Sequence, residues 1–226
     1  MATRNETLSN IIFLAHGSPD PRSAVSIKRF ADLISDRLGI ATHSAYLDHN
    51  APMLQEVAVE IQDPNALVVP MLLSSAFHAL FDLPKAAKIS GFRNVLPPIG
   101  HPIEVLKTLF VAAGKSVMVV AAGTSSAQAQ LLFEDAVHSV SKATGFEADH
   151  SYVTGKKDLI APKFSDFARA GGGTVIPWLL AEGKLMDQIL HEAASQNLAV
   201  EGNGLCQEEV FIEHMIRVIS QYALMA

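Results

Sequence analysis

Short apolar runs rich in β-branched residues alternate along this chain with segments whose apolar positions return every three or four residues. Residues 11–15, 43–47, 66–73 and 93–96 read as strands, and 117–122, 148–153 and 173–180 repeat that order. Between the first two runs, Ile27, Phe30, Ala31, Ile34 and Leu38 share one face, while Lys28, Arg29, Asp32 and Asp36 take the other. This spacing predicts an amphipathic helix over 22–39 that ends at Gly39 as a capping glycine. Pro52, Pro84, Pro102 and Pro162 stand where helices can begin, because a fixed φ and a missing N–H suit the first turn. A last helix over 206–223 gathers Val210, Phe211, His214, Met215, Val218, Ile219 and Tyr222 on one broad face, and is expected to seal the second sheet. Strands alternating with helices predict βαβ units and parallel sheets, hence an α/β fold.

The order repeats because the sequence repeats. The run Ile11-Ile12-Phe13-Leu14-Ala15 leads into His16-Gly17-Ser18, and Val117-Met118-Val119-Val120-Ala121 leads into Ala122-Gly123-Thr124 at an offset of 106. Tyr46-Leu47-Asp48 returns as Tyr152-Val153-Thr154, and residues 68–73 return one place late as residues 175–180. A period this long means a duplicated domain, since solenoid repeats run roughly 20 to 50 residues. The expected architecture is two lobes, 1–114 and 115–226, each a parallel four-stranded sheet flanked by helices, with a ligand-holding cleft between them. The second copy is a control for the first. His16, Asp48 and His78 become Ala122, Thr154 and either Lys184 or Leu185, so their chemistry is not demanded by the scaffold.

Composition narrows the classes of function. With 226 residues, 49% hydrophobic and 18% charged, the chain can bury one or two cores. No apolar run approaches the roughly 18 residues of a membrane span, and the polar start Met-Ala-Thr-Arg-Asn-Glu-Thr has no signal-peptide character, so a cytoplasmic protein without a membrane partner is expected. The single cysteine, Cys206, excludes an intrachain disulfide and a cysteine-cluster metal site. A net charge of −6, with no long basic run, argues against nucleic acid as a partner.

Parallel sheets collect ligands at the carboxyl ends of their strands. His16 follows the first strand, Asp48 ends the second and His78 lies in the loop after the third, so two imidazoles and a carboxylate come to one edge. Imidazole suits divalent iron, cobalt, nickel or zinc and accepts a proton near neutrality; a carboxylate beside it can orient a ring, hold a cation or take a proton. Structural roles compete with this reading: His16 or Asp48 could cap a following helix, and His43, His101, His138, His150, His191 and His214 read as structural or exposed, His214 as core. Other motifs fail. Gly114-Lys115-Ser116 precedes a strand and has Leu109 where a phosphate loop needs glycine, Gly202-Asn203-Gly204 lacks a third glycine, and Gly123-Thr124-Ser125-Ser126-Ala127 only approximates a nucleophile elbow.

The segments His16-Gly17-Ser18-Pro19-Asp20-Pro21-Arg22, Pro70-Met71-Leu72-Leu73-Ser74-Ser75-Ala76-Phe77-His78 and Asp82-Leu83-Pro84, in this order, resemble the sirohydrochlorin chelatases of the class II, ferrochelatase-like superfamily. The resemblance spans nearly the whole chain, including the eroded repeat. It implies a lyase-type enzyme that inserts Co2+ or Fe2+ into sirohydrochlorin, for cobalamin or siroheme biosynthesis, with the metal as substrate and no organic cofactor. It implies that His16 and His78 bind the metal and help remove pyrrole protons. Asp48 stands where the family often has glutamate, with His49 beside it, and Pro19 replaces a common arginine, leaving Arg22 as the nearest guanidinium. Ser18, Ser74, Ser75, Arg22, Lys85 and Lys184 would then meet a carboxylate-rich substrate. The alternative is a carrier that binds metal or tetrapyrrole without turnover, and either a monomer or a homodimer fits.

Overall fold

The apolar runs form two sheets of the same design. A computed structural model of the protein describes residues 8–73, 83–155 and 159–225. In the first sheet β1 (Asn10–Ala15), β2 (Ala41–Tyr46), β3 (Leu67–Met71) and β4 (Asn94–Val95) lie parallel in the order β2-β1-β3-β4. In the second, β5 (Ser116–Ala121), β6 (Glu147–Tyr152), β7 (Thr174–Trp178) and β8 (Ala199–Val200) take the order β6-β5-β7-β8. The expected α/β class and four-stranded parallel sheets are therefore present, with β8 added to the seven strands expected from the sequence. Chain order reverses between β1 and β3 and again between β5 and β7, so their carboxyl ends flank the crevices where parallel sheets receive ligands.

Helix α1 (Pro21–Leu38) starts at Asp20, whose carboxylate accepts from the Arg22 backbone N–H, and Pro21 occupies its first turn. It ends at Gly39 in the left-handed conformation, φ 66°, donating to Ser35 O. Ile27, Phe30, Ala31 and Ile34 are buried on its inner face, each worth roughly 1.5–3 kcal/mol for the larger side chains. Phe30 meets Phe13 of β1 edge-on at 5.1 Å.

The outer face of the first sheet is covered by α2 (Leu54–Ile61) and α3 (Leu83–Ser90), and that of the second by α6 (Ile160–Arg169) and α7 (Lys184–Ser195). Between the sheets lies one shared core, built from α1, α4 (Ile103–Ala113), α5 (Ala127–Thr144), a 3-10 turn at Leu205–Gln207 and α8 (Glu209–Met225). Here the structure corrects an expectation. α8 does not seal the second sheet: it crosses to α1 of the first repeat, where Phe211 stands 5.7 Å from Phe30 and Glu209 and Glu213 bind Arg37. Reciprocally, α4 of the first repeat packs on α5, β5 and β7 of the second. Each repeat ends by lending a helix to the other, because the broad apolar face of α8 matches the α1 surface in the shared core.

Candidate functional site

The turn after β1 is fixed by a contact only glycine allows. Gly17 has φ +97°, and a Cβ there would stand 1.8 Å from the Asp48 carbonyl oxygen; Gly123, φ +105°, lies against Thr154 in the same way, at 2.1 Å. Asp48 N donates to His16 O at 2.8 Å, as Thr154 N does to Ala122 O at 2.9 Å. Both turns are thus pinned to the loop after the neighbouring strand. In the first, Ser18 N also donates to Asn50 Oδ1 at 2.7 Å, and Ser18 Oγ accepts from Asp20 N at 3.1 Å. Asp20 is the residue that caps α1, so His16 is spared that duty and its ring is turned to the cleft.

His16 lines two adjoining cavities. One, about 260 Å3, is bounded by Leu72 and Leu73 after β3 and by Ala122, Phe133, Tyr152 and Trp178 of the second repeat. The other, about 430 Å3, runs past Ser18, Asp20 and Ser23 to Glu182 and Lys184. His49, whose backbone is left-handed at φ 63°, places its ring 6.0 Å from that of His16 at 80° to it. Asp48 Oδ1 accepts from His49 N at 2.7 Å, and Asp48 Oδ2 lies 3.6 Å from His49 Nε2. Asp48 does not cap α2, which begins at Met53 with Glu56 accepting from the Met53 N–H at 2.6 Å. The structure therefore gathers His16, Asp48 and His49 at one edge of the cleft. His78, Ser74 and Ser75 lie outside the described residues. Among the described residues, no three His, Cys, Asp or Glu side chains converge on a possible metal position.

The cations expected to meet substrate are placed differently. Arg22 is held on one side by Asp20 and on the other by Asp187 of α7, each through two hydrogen bonds, so its guanidinium bridges the repeats instead of pointing into either cavity. These bonds hold the Asp20 carboxyl down to about 2, keep Asp187 below the usual carboxylate range and raise Arg22 further. Lys184 is exposed at the rim of the larger cavity, where Leu185 also lies. Lys85 is exposed on α3 and lines neither cavity.

The cleft also holds a histidine expected to be structural or exposed. His101, between β4 and α4, lines the smaller cavity with His16, and its Nδ1 accepts from the indole Nε1 of Trp178 at 2.9 Å. Burial pushes its pKa down to about 4. A signal for it exists in the repeat. Leu96 and Gly100 donate to Val68 O and Leu72 O, and Glu201 and Leu205 donate to Val175 O and Leu179 O, an offset of 105 that sets His101 opposite Cys206. Like His16, His101 is lost from the second copy.

Comparison with known proteins follows the same lines. Residues 10–109 match the CbiX family model. No curated protein matches the chain. Among solved structures, SirB from Bacillus subtilis with Fe3+ superposes over 96% of this chain and 96% of that one, with a TM-score of 0.76 at 18% identity. The sirohydrochlorin chelatase SirB from Bacillus subtilis subspecies spizizenii, in complex with cobalt, covers 95% and 96% at TM-score 0.72 and 18% identity. CbiX, the terminal enzyme for biosynthesis of siroheme in denitrifying bacteria, covers 94% and 98% at TM-score 0.70 and 17% identity. At such identities the likeness establishes the fold, two parallel sheets in a chelatase-like arrangement. Over residues 10–109, within that fold, the sequence matches the CbiX family model, and the fold is the one seen in these chelatases.

Proposed function

We propose that this protein inserts a divalent metal, Co2+ or Fe2+, into sirohydrochlorin, in cobalamin or siroheme biosynthesis. The observation that carries the reading is the asymmetry of a symmetric cleft: the turn pinned by Gly17 presents His16, and the equally pinned turn at Gly123 presents Ala122. A similarly pinned turn with and without imidazole supports a site that does its chemistry on one face of a flat ligand.

Insertion needs a metal held against one face of the macrocycle and a route for two departing pyrrole protons. His16, with His78, is assigned to hold the incoming cation, which is a substrate here, and to accept a proton as it enters. Asp48 and His49 stand next to His16, where a carboxylate can attract the cation and pass protons to solvent. The mainly apolar walls, Leu72, Phe133, Tyr152 and Trp178, suit the macrocycle's faces, while Lys184 at the rim suits its carboxylates, with Ser18, Ser74, Ser75 and, in competition with Asp187, Arg22 as further candidates. Binding along such walls can be spent on bending the ring so that its nitrogen lone pairs meet the metal.

Anaerobic absorbance of sirohydrochlorin with Co2+ or Fe2+ tests this. Catalytic amounts of wild type should give multiple turnovers, and His16→Ala and His78→Ala should each abolish them. His16→Ala should keep the wild-type melting temperature, since alanine already occupies the matching turn of the second repeat. Tight binding without acceleration over the uncatalysed rate would make the protein a carrier instead.

A further inference from the structure

We propose that Trp178 fixes His101 as the tautomer protonated on Nε2, and that this N–H is the hydrogen-bond donor for a peripheral carboxylate of the tetrapyrrole in the cleft. The inference rests on the chelatase reading for the identity of the ligand, but its first half stands on geometry alone. Indole nitrogen can only donate, so at 2.9 Å the lone pair of His101 Nδ1 must receive it. A neutral ring with that lone pair in use carries its proton on Nε2. A cationic ring would set two N–H groups against each other, and burial opposes it as well.

The free end of the ring is placed to meet a ligand. Among the described residues no protein group accepts from Nε2, and that atom is not among the buried polar atoms lacking a partner. His101 and Leu73 belong both to the cavity shared with His16 and to a groove of about 380 Å3 between α4 and α5, so the ring stands where the cleft opens outward. A macrocycle whose centre lies by His16 would bring its acidic arms, not its nitrogens, to that position. The two histidines of the cavity therefore divide the work: His16 is assigned to the metal or proton, and His101 offers a hydrogen. In the second repeat the matching places hold Cys206 for His101 and, for Trp178, the first repeat has Met71; that pair offers neither a strong donor nor a strong acceptor.

Nitrogen-15 NMR of histidine-labelled protein at pH 7, read with and without sirohydrochlorin, tests both halves. His101 should show a protonated Nε2 and an unprotonated Nδ1, and Trp178→Phe should release that preference. Metal-free sirohydrochlorin should bind His101→Phe about 10- to 100-fold more weakly than wild type, the range of a hydrogen bond to a charged group, with Co2+ alone binding equally to both. His101→Gln, which keeps a donor near the Nε2 position, should recover part of the loss. In turnover the change should fall on KM with kcat held. Proton on Nδ1, unchanged sirohydrochlorin affinity in His101→Phe, or no recovery in His101→Gln overturns the proposal. Wild type that fails to bind sirohydrochlorin overturns the chelatase reading and the ligand assigned to His101, and leaves the tautomer to be judged by the NMR measurement itself.

Discussion

Asp187 of α7 grips Arg22 of α1 through two hydrogen bonds, 2.9 and 2.6 Å, and so ties the second repeat to the first at the rim of the cleft. Asp187 is exposed, and exposed ion pairs contribute little to stability because water screens them. On the proposed function the effect of this pair falls on binding, because a substrate carboxylate that uses Arg22 must compete with Asp187. Asp187→Asn is expected to leave the melting temperature nearly unchanged and to lower KM for sirohydrochlorin several-fold. An unchanged KM would show that Arg22 serves only to join the repeats.

Asp20 gives a pH dependence with a definite sign. Its carboxyl is buried, caps α1 and is held at about 2 by the Arg22 side chain and backbone, against 3.8 when unperturbed. A carboxyl with a depressed folded pKa contributes stability that is complete above about pH 4 and disappears as pH falls toward 2. Asn caps helices nearly as well as Asp, so Asp20→Asn isolates the charge. Thermal melts should show the variant less stable than wild type at pH 6, with the gap closing between pH 4 and 2.

Gly17→Ala and Gly123→Ala make a matched pair. Each adds a Cβ at positive φ against a backbone carbonyl, and each should destabilise the fold by about 1–3 kcal/mol in urea unfolding. Only Gly17→Ala should also reduce metal insertion at temperatures where both variants are folded, because only that turn carries a histidine. Equal losses of activity would separate His16 from the chemistry.

The exchange of terminal helices predicts joint unfolding. Phe211 is fully buried, touches Phe30 of α1 and belongs to a core drawn from both repeats. Phe211→Ala should cost about 3–5 kcal/mol, the usual range for a buried phenylalanine. Calorimetry should show one transition lowered as a whole. Two transitions, with the first repeat undisturbed, would contradict the shared core.

Hydrophobic periodicity and internal repetition were legible in the sequence, since both are local properties of the chain. Seven of the strands, the span of α1 with its Gly39 cap, the duplication and the position of His16 after β1 all follow from residues near one another. β8 is not among them, although at two residues it is no shorter than β4, and with it went the alignment that pairs His101 with Cys206. What the tertiary structure alone decided involves residues far apart: Trp178 on His101 across 77 positions, Asp187 on Arg22 across 165, Glu209 on Arg37 across 172. An apolar helix face states that it will be buried, not against what. The choice of α1 as the seat of α8, and of Asp187 as the partner of a guanidinium expected to face substrate, was made by shape and charge once two sheets lay side by side.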